Sequence, residues 1–227
     1  MRAVIVVLVA LVVLAGCGSS SKKTTSTAAK PAPAPAQTAG CRKVAAPRPK
    51  PDGSLDRPPL RIDRHARWTA TLQTNCGTIR FALDVTDQPK TAASFAYLAR
   101  RGFFDDLTFH RIAHAPDGSD FVVQGGDPTG TGQGGPGYSV TETPPSNAHY
   151  TFGTVAMAKT EVEPPGTSGS QFFIVTAQDA GLPADYAILG HVVSGVAALR
   201  RMAATPADPQ ERPLSPVVMT KVTVARG

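Results

Sequence analysis

No stretch of this 227-residue sequence is apolar for long enough to cross a bilayer, its cysteines number only three, and it carries neither clustered metal ligands nor a nucleotide-binding fingerprint. Each absence excludes a class of function. The longest apolar run, Ala3 to Ala15, follows Met1-Arg2 and falls short of the roughly 20 residues of a spanning helix, so it reads as the core of a cleaved signal peptide. His110 and His114 stand four apart, as zinc ligands on a helix can, but they fall on a predicted strand and its following loop with no third ligand near, so no metal is expected. The glycines from Gly125 to Gly137 suggest a phosphate cradle, yet no Gly-Lys-Ser/Thr follows them and no dinucleotide motif fits. Ser94, Ser170 and His149 form no hydrolase motif, and no cofactor is expected.

Acidic residues are scarce in one region. The net charge of +6 conceals eleven Lys and Arg against three Asp between Gly18 and Arg67, while the rest of the chain from Trp68 onward is net acidic. The basic character therefore belongs to the N-terminal segment, where it suits a solvated linker or attraction to anionic lipid and wall polymers. A nucleic-acid partner is not expected, because the C-terminal part shows no basic patch.

The end of the apolar run, Leu14-Ala15-Gly16-Cys17, resembles the lipobox of bacterial lipoproteins; the alternative is ordinary secretion with a fortuitous cysteine. On the lipoprotein reading, residues 1 to 16 are removed, Cys17 becomes the lipidated N-terminus, and the chain is exported and held at the cell membrane. Residues 17 to 67, rich in Pro, Ala and Lys and including Pro31-Ala32-Pro33-Ala34-Pro35, form a tether, disordered at first and semi-extended where prolines are dense. Cys41 and Cys76 remain as a candidate disulfide in an oxidising compartment.

From Trp68 onward a single domain is expected. Alternation predicts strands over Trp68 to Thr74 and Thr78 to Leu83, joined by a turn at Asn75-Cys76-Gly77. Helical spacing of Ala92, Phe95, Ala96, Leu98 and Ala99 predicts a helix from Thr91 to Arg101 that Gly102 stops, and a second helix is expected from Gly195 to Ala204. Short strands are predicted near Thr108 to Ile112, Phe121 to Gln124, Thr154 to Ala158, Phe172 to Thr176, Ala187 to Val193 and Val217 to Val224. Many short strands with only two helices point to a mainly β fold, a closed barrel with helical plugs, since closure removes exposed edges.

Three runs carry the chemistry: Phe109-His110-Arg111, Phe121-Val122-Val123-Gln124-Gly125-Gly126-Asp127, and Gly169-Ser170-Gln171-Phe172-Phe173. They place one arginine, two glutamines and several apolar side chains on strand-like segments without a nucleophile beside them. Such a set acts by shape and charge. By these motifs the chain, from about Trp68 to its C-terminus, resembles the cyclophilin family of peptidyl-prolyl cis/trans isomerases. The resemblance implies an eight-stranded antiparallel barrel capped by two α-helices, and a reaction without metal, cofactor or covalent intermediate. A prolyl bond resists rotation by roughly 18 to 20 kcal/mol, and in the twisted state its nitrogen becomes pyramidal and basic. A donor aimed at that nitrogen and an apolar cup for the ring are the minimum the site must supply.

Carried over by position, Arg111 is the donor, Gln124 the residue that contacts both arginine and substrate, and Phe121 with Val122, Phe173 and Leu182 the proline pocket. Phe109, two residues before Arg111, is counted among the substrate-contacting residues, as are Ala158 as a backbone clamp, Gln171 in the groove and Tyr186 where many members carry a histidine. Departures are visible. Gly181 stands where cyclosporin-sensitive members have tryptophan, Val122 replaces a frequent methionine, and Lys159 replaces a frequent asparagine and suggests a preference for acidic flanking residues. The loop Ala113 to Asp120 is about five residues longer than usual and either narrows the groove or projects into solvent. The function so implied is isomerisation of proline-containing segments of exported or envelope proteins by a monomer, against the alternative of a non-catalytic proline-peptide binding module or holdase.

Overall fold

The computed structural model describes residues 40–227, so the signal segment, Cys17 and the proximal tether lie outside the described residues. Strand alternation starts the fold. In β1 (Trp68–Thr74) and β2 (Gly77–Leu83) every second side chain, Ala70, Leu72, Ile79 and Phe81, is fully buried while the residues between face outward. The pair is followed by α1 (Pro89–Arg100), β3 (Leu107–His114), β4 (Asp120–Gly125) and the two-residue β5 (Val140–Thr141). Then come β6 (Thr154–Met157), the short β7 (Thr167–Ser168), β8 (Phe172–Val175), β9 (Ile188–Ser194), α2 (Val196–Ala203) and β10 (Val218–Arg226).

Eight strands close into an antiparallel barrel in the order β1-β10-β3-β4-β8-β6-β9-β2, while β5 and β7 pair apart from it. This is the mainly β architecture with two helices that the sequence predicts. Phe95 of α1 plugs the interior, stacked on Phe104 at 4.7 Å between centroids and set edge-on to Phe81 and Phe172 at 5.6 and 5.7 Å. Burial of each such ring contributes about 1.5 to 3 kcal/mol.

Three strands differ from simple alternation. Every residue of β6 and β8 is buried, as are Val122 and Val123 of β4, because these strands pack inward on the barrel core and outward on a second apolar cluster. That outer cluster, built on Val122, Ala156, Phe173, Val175 and Tyr150, is the floor on which a groove can form.

Residues 41 to 67, expected as part of the tether, instead form a strap bound to the barrel. Their proline content suppresses regular structure but leaves backbone groups free to pair with loops. Lys50 N–H donates to Pro128 O at 2.8 Å, Gly53 N–H to Gly135 O at 3.1 Å and Leu55 N–H to Pro136 O at 2.9 Å. Leu55, Ile62 and Trp68 pack on the core, and the Trp68 indole donates to Asp63 O at 2.9 Å. At the upstream end Cys41 is joined to Cys76, and buried Asn75 donates to Arg42 O and Pro216 O while accepting from Val218 N–H.

The glycine-rich segment after β4 is ordered by one carboxylate. Fully buried Asp127 accepts from the Thr129 backbone and hydroxyl and from Gly132 N–H. Burial pushes its pKa up, but hydrogen bonds from Thr129, Gly132 and Gly134 outweigh burial and hold it below the usual carboxylate value. The extra residues between Arg111 and Phe121 lengthen β3 and β4 into a hairpin whose tip, Pro116 to Ser119, is exposed.

Two predictions follow from these ties. Alkylation of the unreduced protein leaves Cys41 and Cys76 unmodified by mass spectrometry, and Cys76→Ser lowers unfolding stability by about 3 to 4 kcal/mol for the 35-residue separation. Two alkylatable thiols at these positions without reductant would refute the bridge. Asp127→Asn costs about 1 to 3 kcal/mol at pH 7. Because the folded-state pKa is depressed, this stabilisation exists above the ordinary carboxylate range and is lost as pH falls through the folded value. Denaturant titrations of both proteins should therefore converge in acid, and a gap that persists there would contradict the role.

Candidate active site

A break in the register of β3 decides which side chains reach the groove. Phe109 points into the barrel, fully buried, with its ring 5.9 Å from that of Phe172. Two residues on, strict alternation would bury Arg111 as well. The pairing with β4 slips between Phe109, opposite Gly125, and Arg111, opposite Gln124. His110 occupies the irregularity with its Nδ1 buried and, among the described residues, without a hydrogen-bond partner, and Ile112 resumes the inward face. Burial, together with the neighbouring Arg111 charge and against the pull of Asp127, lowers the His110 pKa. Phe109 thus belongs to the barrel core, and its expected place in the substrate site is corrected.

Arg111 is held by a line of polar contacts across three loops and strands. Its Nε donates to Glu211 Oε2 at 2.5 Å, and its Nη1 donates to Gln124 Oε1 at 3.3 Å. Gln124 Nε2 donates to Gln171 Oε1 at 3.0 Å, and Gln171 Nε2 donates to Gly132 O and Gly134 O at 3.0 and 2.9 Å. The guanidinium is fixed through Nε and Nη1, leaving its remaining N–H groups, those of Nη2 among them, for a ligand. Arg111 and Glu211 stay about one third exposed at the side chain, so the charge is accessible.

Beside this line lies a cavity of about 200 Å³ lined by Arg111, Phe121, Val122, Gln124, Ala158, Lys159, Phe173, Leu182 and Tyr186. All the predicted site residues other than Phe109 and Gln171 meet here. Gln171 lies one step away, lining a neighbouring cavity of about 380 Å³ that shares Gln124, Ala158 and Lys159 with the first. Ala158 N–H is already bonded to Gln171 O at 2.9 Å, so only its carbonyl can clamp a substrate N–H.

Tyr186 is set edge-on to Phe173 and Tyr150, with ring centroids 5.4 and 5.9 Å apart. Tyr150, buried, donates its hydroxyl to Tyr186 O at 2.7 Å and accepts from Tyr186 N–H at 3.0 Å. Among the described residues the Tyr186 hydroxyl makes no hydrogen bond, so it can donate to a ligand carbonyl. Lys159 has only 5 % of its side chain exposed; Nζ donates to Thr160 O and Glu163 O, lies 3.5 Å from Asp185 and sits over the Tyr186 ring. Enclosed this way, it is already neutralised. Gly181, in a left-handed conformation at φ +61°, does not line either cavity.

Sequence reasoning missed Glu211 and Tyr150. Glu211 lies on the loop before β10 at φ +63°, held by Ile112 N–H on its carbonyl at 2.8 Å, and nothing in its local sequence marks it. Tyr150 carries only the signal of an aromatic residue, which fits core equally well.

A donor with a permanent charge beside an apolar cup suits a neutral cyclic substituent next to an amide. The sequence profile of the family described as cyclophilin type peptidyl-prolyl cis-trans isomerase/CLD matches residues 69–224. Peptidyl-prolyl cis-trans isomerase-like 1 of Neurospora crassa is 39 % identical over 159 residues, covering 68 % of this chain and 93 % of its own. Peptidyl-prolyl cis-trans isomerase A of Mycobacterium tuberculosis is 36 % identical over 178 residues, covering 70 % and 93 %. A crystal structure of a Cryptosporidium parvum cyclophilin type peptidyl-prolyl cis-trans isomerase, determined in the presence of the dipeptide Ala-Pro, superposes with a TM-score of 0.63 at 28 % identity, covering 70 % of this chain and 99 % of that one. With the family profile spanning residues 69–224 and the relatives' identity and coverage in agreement with the matched barrel, the chain belongs to the cyclophilin-type peptidyl-prolyl cis-trans isomerases.

Proposed function

We propose that this isomerase acts outside the cytoplasm on proline-containing segments of exported or envelope proteins, anchored through lipid on Cys17, with Arg111 as the donor to the twisted imide. The anchoring part of the reading rests on the apolar run and Leu14-Ala15-Gly16-Cys17, which lie outside the described residues. The Cys41 to Cys76 bridge supports it, since such bonds persist in oxidising compartments. The basic residues of the tether and the strap add attraction to an anionic surface.

The observation that carries the catalytic reading is the line from Glu211 through Arg111 and Gln124 to Gln171, beside a cup of Phe121, Val122, Phe173 and Leu182. With the proline ring in the cup, the remaining N–H groups of Arg111 meet the imide nitrogen as it loses conjugation. The planar isomers offer that donor no basic lone pair, so the contact favours the transition state selectively. One charge-assisted hydrogen bond supplies about 1.5 to 3 kcal/mol, equivalent to roughly 10- to 150-fold. Orientation by Tyr186 and the Ala158 carbonyl, and exclusion of water by the apolar walls, supply further acceleration.

Exchange spectroscopy on a short Ala-Pro peptide tests the assignment. Arg111→Ala lowers kcat/KM roughly 10- to 150-fold with the circular dichroism spectrum unchanged. A variant with the wild-type rate would remove Arg111 from the mechanism, and tight peptide binding without accelerated exchange by the wild-type protein would select the binding-module reading. Glu211→Gln keeps an acceptor for Nε but removes its charge, so the expected loss is smaller, up to about fivefold. A loss equal to that of Arg111→Ala would instead make Glu211 essential to the donor's placement.

A further inference from the structure

The strap enters the substrate groove. Asp52 and Gly53 line the larger of the two neighbouring cavities, together with Gln171, Lys159 and Glu163. Asp52 Oδ1 accepts from Gly135 N–H at 2.8 Å, and the backbone of Gly53 and Leu55 is bonded to Gly135 and Pro136. Gly137, at φ +98°, lies so close to the strap that a Cβ there would stand 2.8 Å from the Gly53 carbonyl carbon. The barrel loop therefore has no room for a side chain where the strap crosses it.

The charge in this cavity is lopsided. Its acidic lining residues are Asp52 and Glu163, and among the described residues neither carboxylate has a Lys, Arg or His nitrogen within 4.0 Å. Its basic lining residue, Lys159, is enclosed and faces Asp185. Glu163 Oε2 is occupied by the Thr160 backbone and hydroxyl at 2.6 and 2.9 Å. Arg57 does not line the cavity. The exposed carboxylate of Asp52 is thus the charge most available to an incoming side chain.

We propose that Asp52, a residue of the strap outside the matched family region, is a specificity-determining residue that favours substrates with a lysine or arginine flanking the proline. The preference opposes the one Lys159 suggests from sequence alone, because that ammonium is already satisfied. The inference rests on the reading of the neighbouring cup as the proline site. It concerns flanking-residue choice and leaves the assignment of Arg111 independent.

The test compares Ala-Pro peptides carrying Lys or Glu at each of the two positions before and after the dipeptide, with the full chain and its Asp52→Asn variant. Asparagine keeps an acceptor for Gly135 N–H while removing the charge. At low ionic strength the wild-type protein is expected to favour Lys over Glu by about two- to fivefold in kcat/KM at one flanking position at least. Added salt shrinks the ratio, and Asp52→Asn brings it toward one. A ratio of one or below in the wild type, or one unchanged in the variant, would overturn the proposal. Dissociation constants for the same peptides, read from chemical-shift titrations, give the ratio without turnover. A Lys preference in binding without accelerated exchange would support Asp52 while refuting the isomerase mechanism, so the two readings fail separately.

Discussion

The geometry of the site depends on one irregularity in strand pairing. A β-strand alternates faces, so Phe109 and Arg111 in unbroken register would both enter a core that holds Phe81, Phe95, Phe104 and Phe172. An arginine there would lack water and a partner, at a cost of several kcal/mol. The slip at His110 returns the guanidinium to the outer face while keeping Phe109 and Ile112 inside.

Once outside, the arginine is made a directed donor by its neighbours. Glu211 and Gln124 occupy different atoms of the guanidinium, and Gln171 passes the restraint on to the glycine segment that Asp127 holds in shape. The apolar cup needs a second hydrophobic layer beneath it, which explains why β6 and β8 are buried on both faces. A site on the outer wall of a filled barrel leaves the core intact.

Much of this was legible in the sequence. The first hairpin, both helices and the eight barrel strands fall within a few residues of their predicted spans, because period-two and helical spacing are strong there. Phe109 was misplaced because a residue of extra slack in a strand leaves no trace in composition. The strap was read as tether because Pro and Lys content resembles a linker, while its pairing with Pro128, Gly135 and Pro136 uses backbone groups common to any sequence. Glu211 reaches Arg111 from 100 positions downstream, a distance that local patterns do not encode. The Cys41 to Cys76 pair was recognisable because few cysteines were available to choose from.

The enclosure of Lys159 has a chemical consequence. An amine reacts with acylating reagents as its free base and only where they can approach it, and this one is screened by Tyr186, two carbonyls and Asp185. The amine of Lys221, paired with Asp105 on a side chain about half exposed, has no comparable shield. The order in which lysines are modified therefore reports on whether the groove is assembled, independently of any substrate.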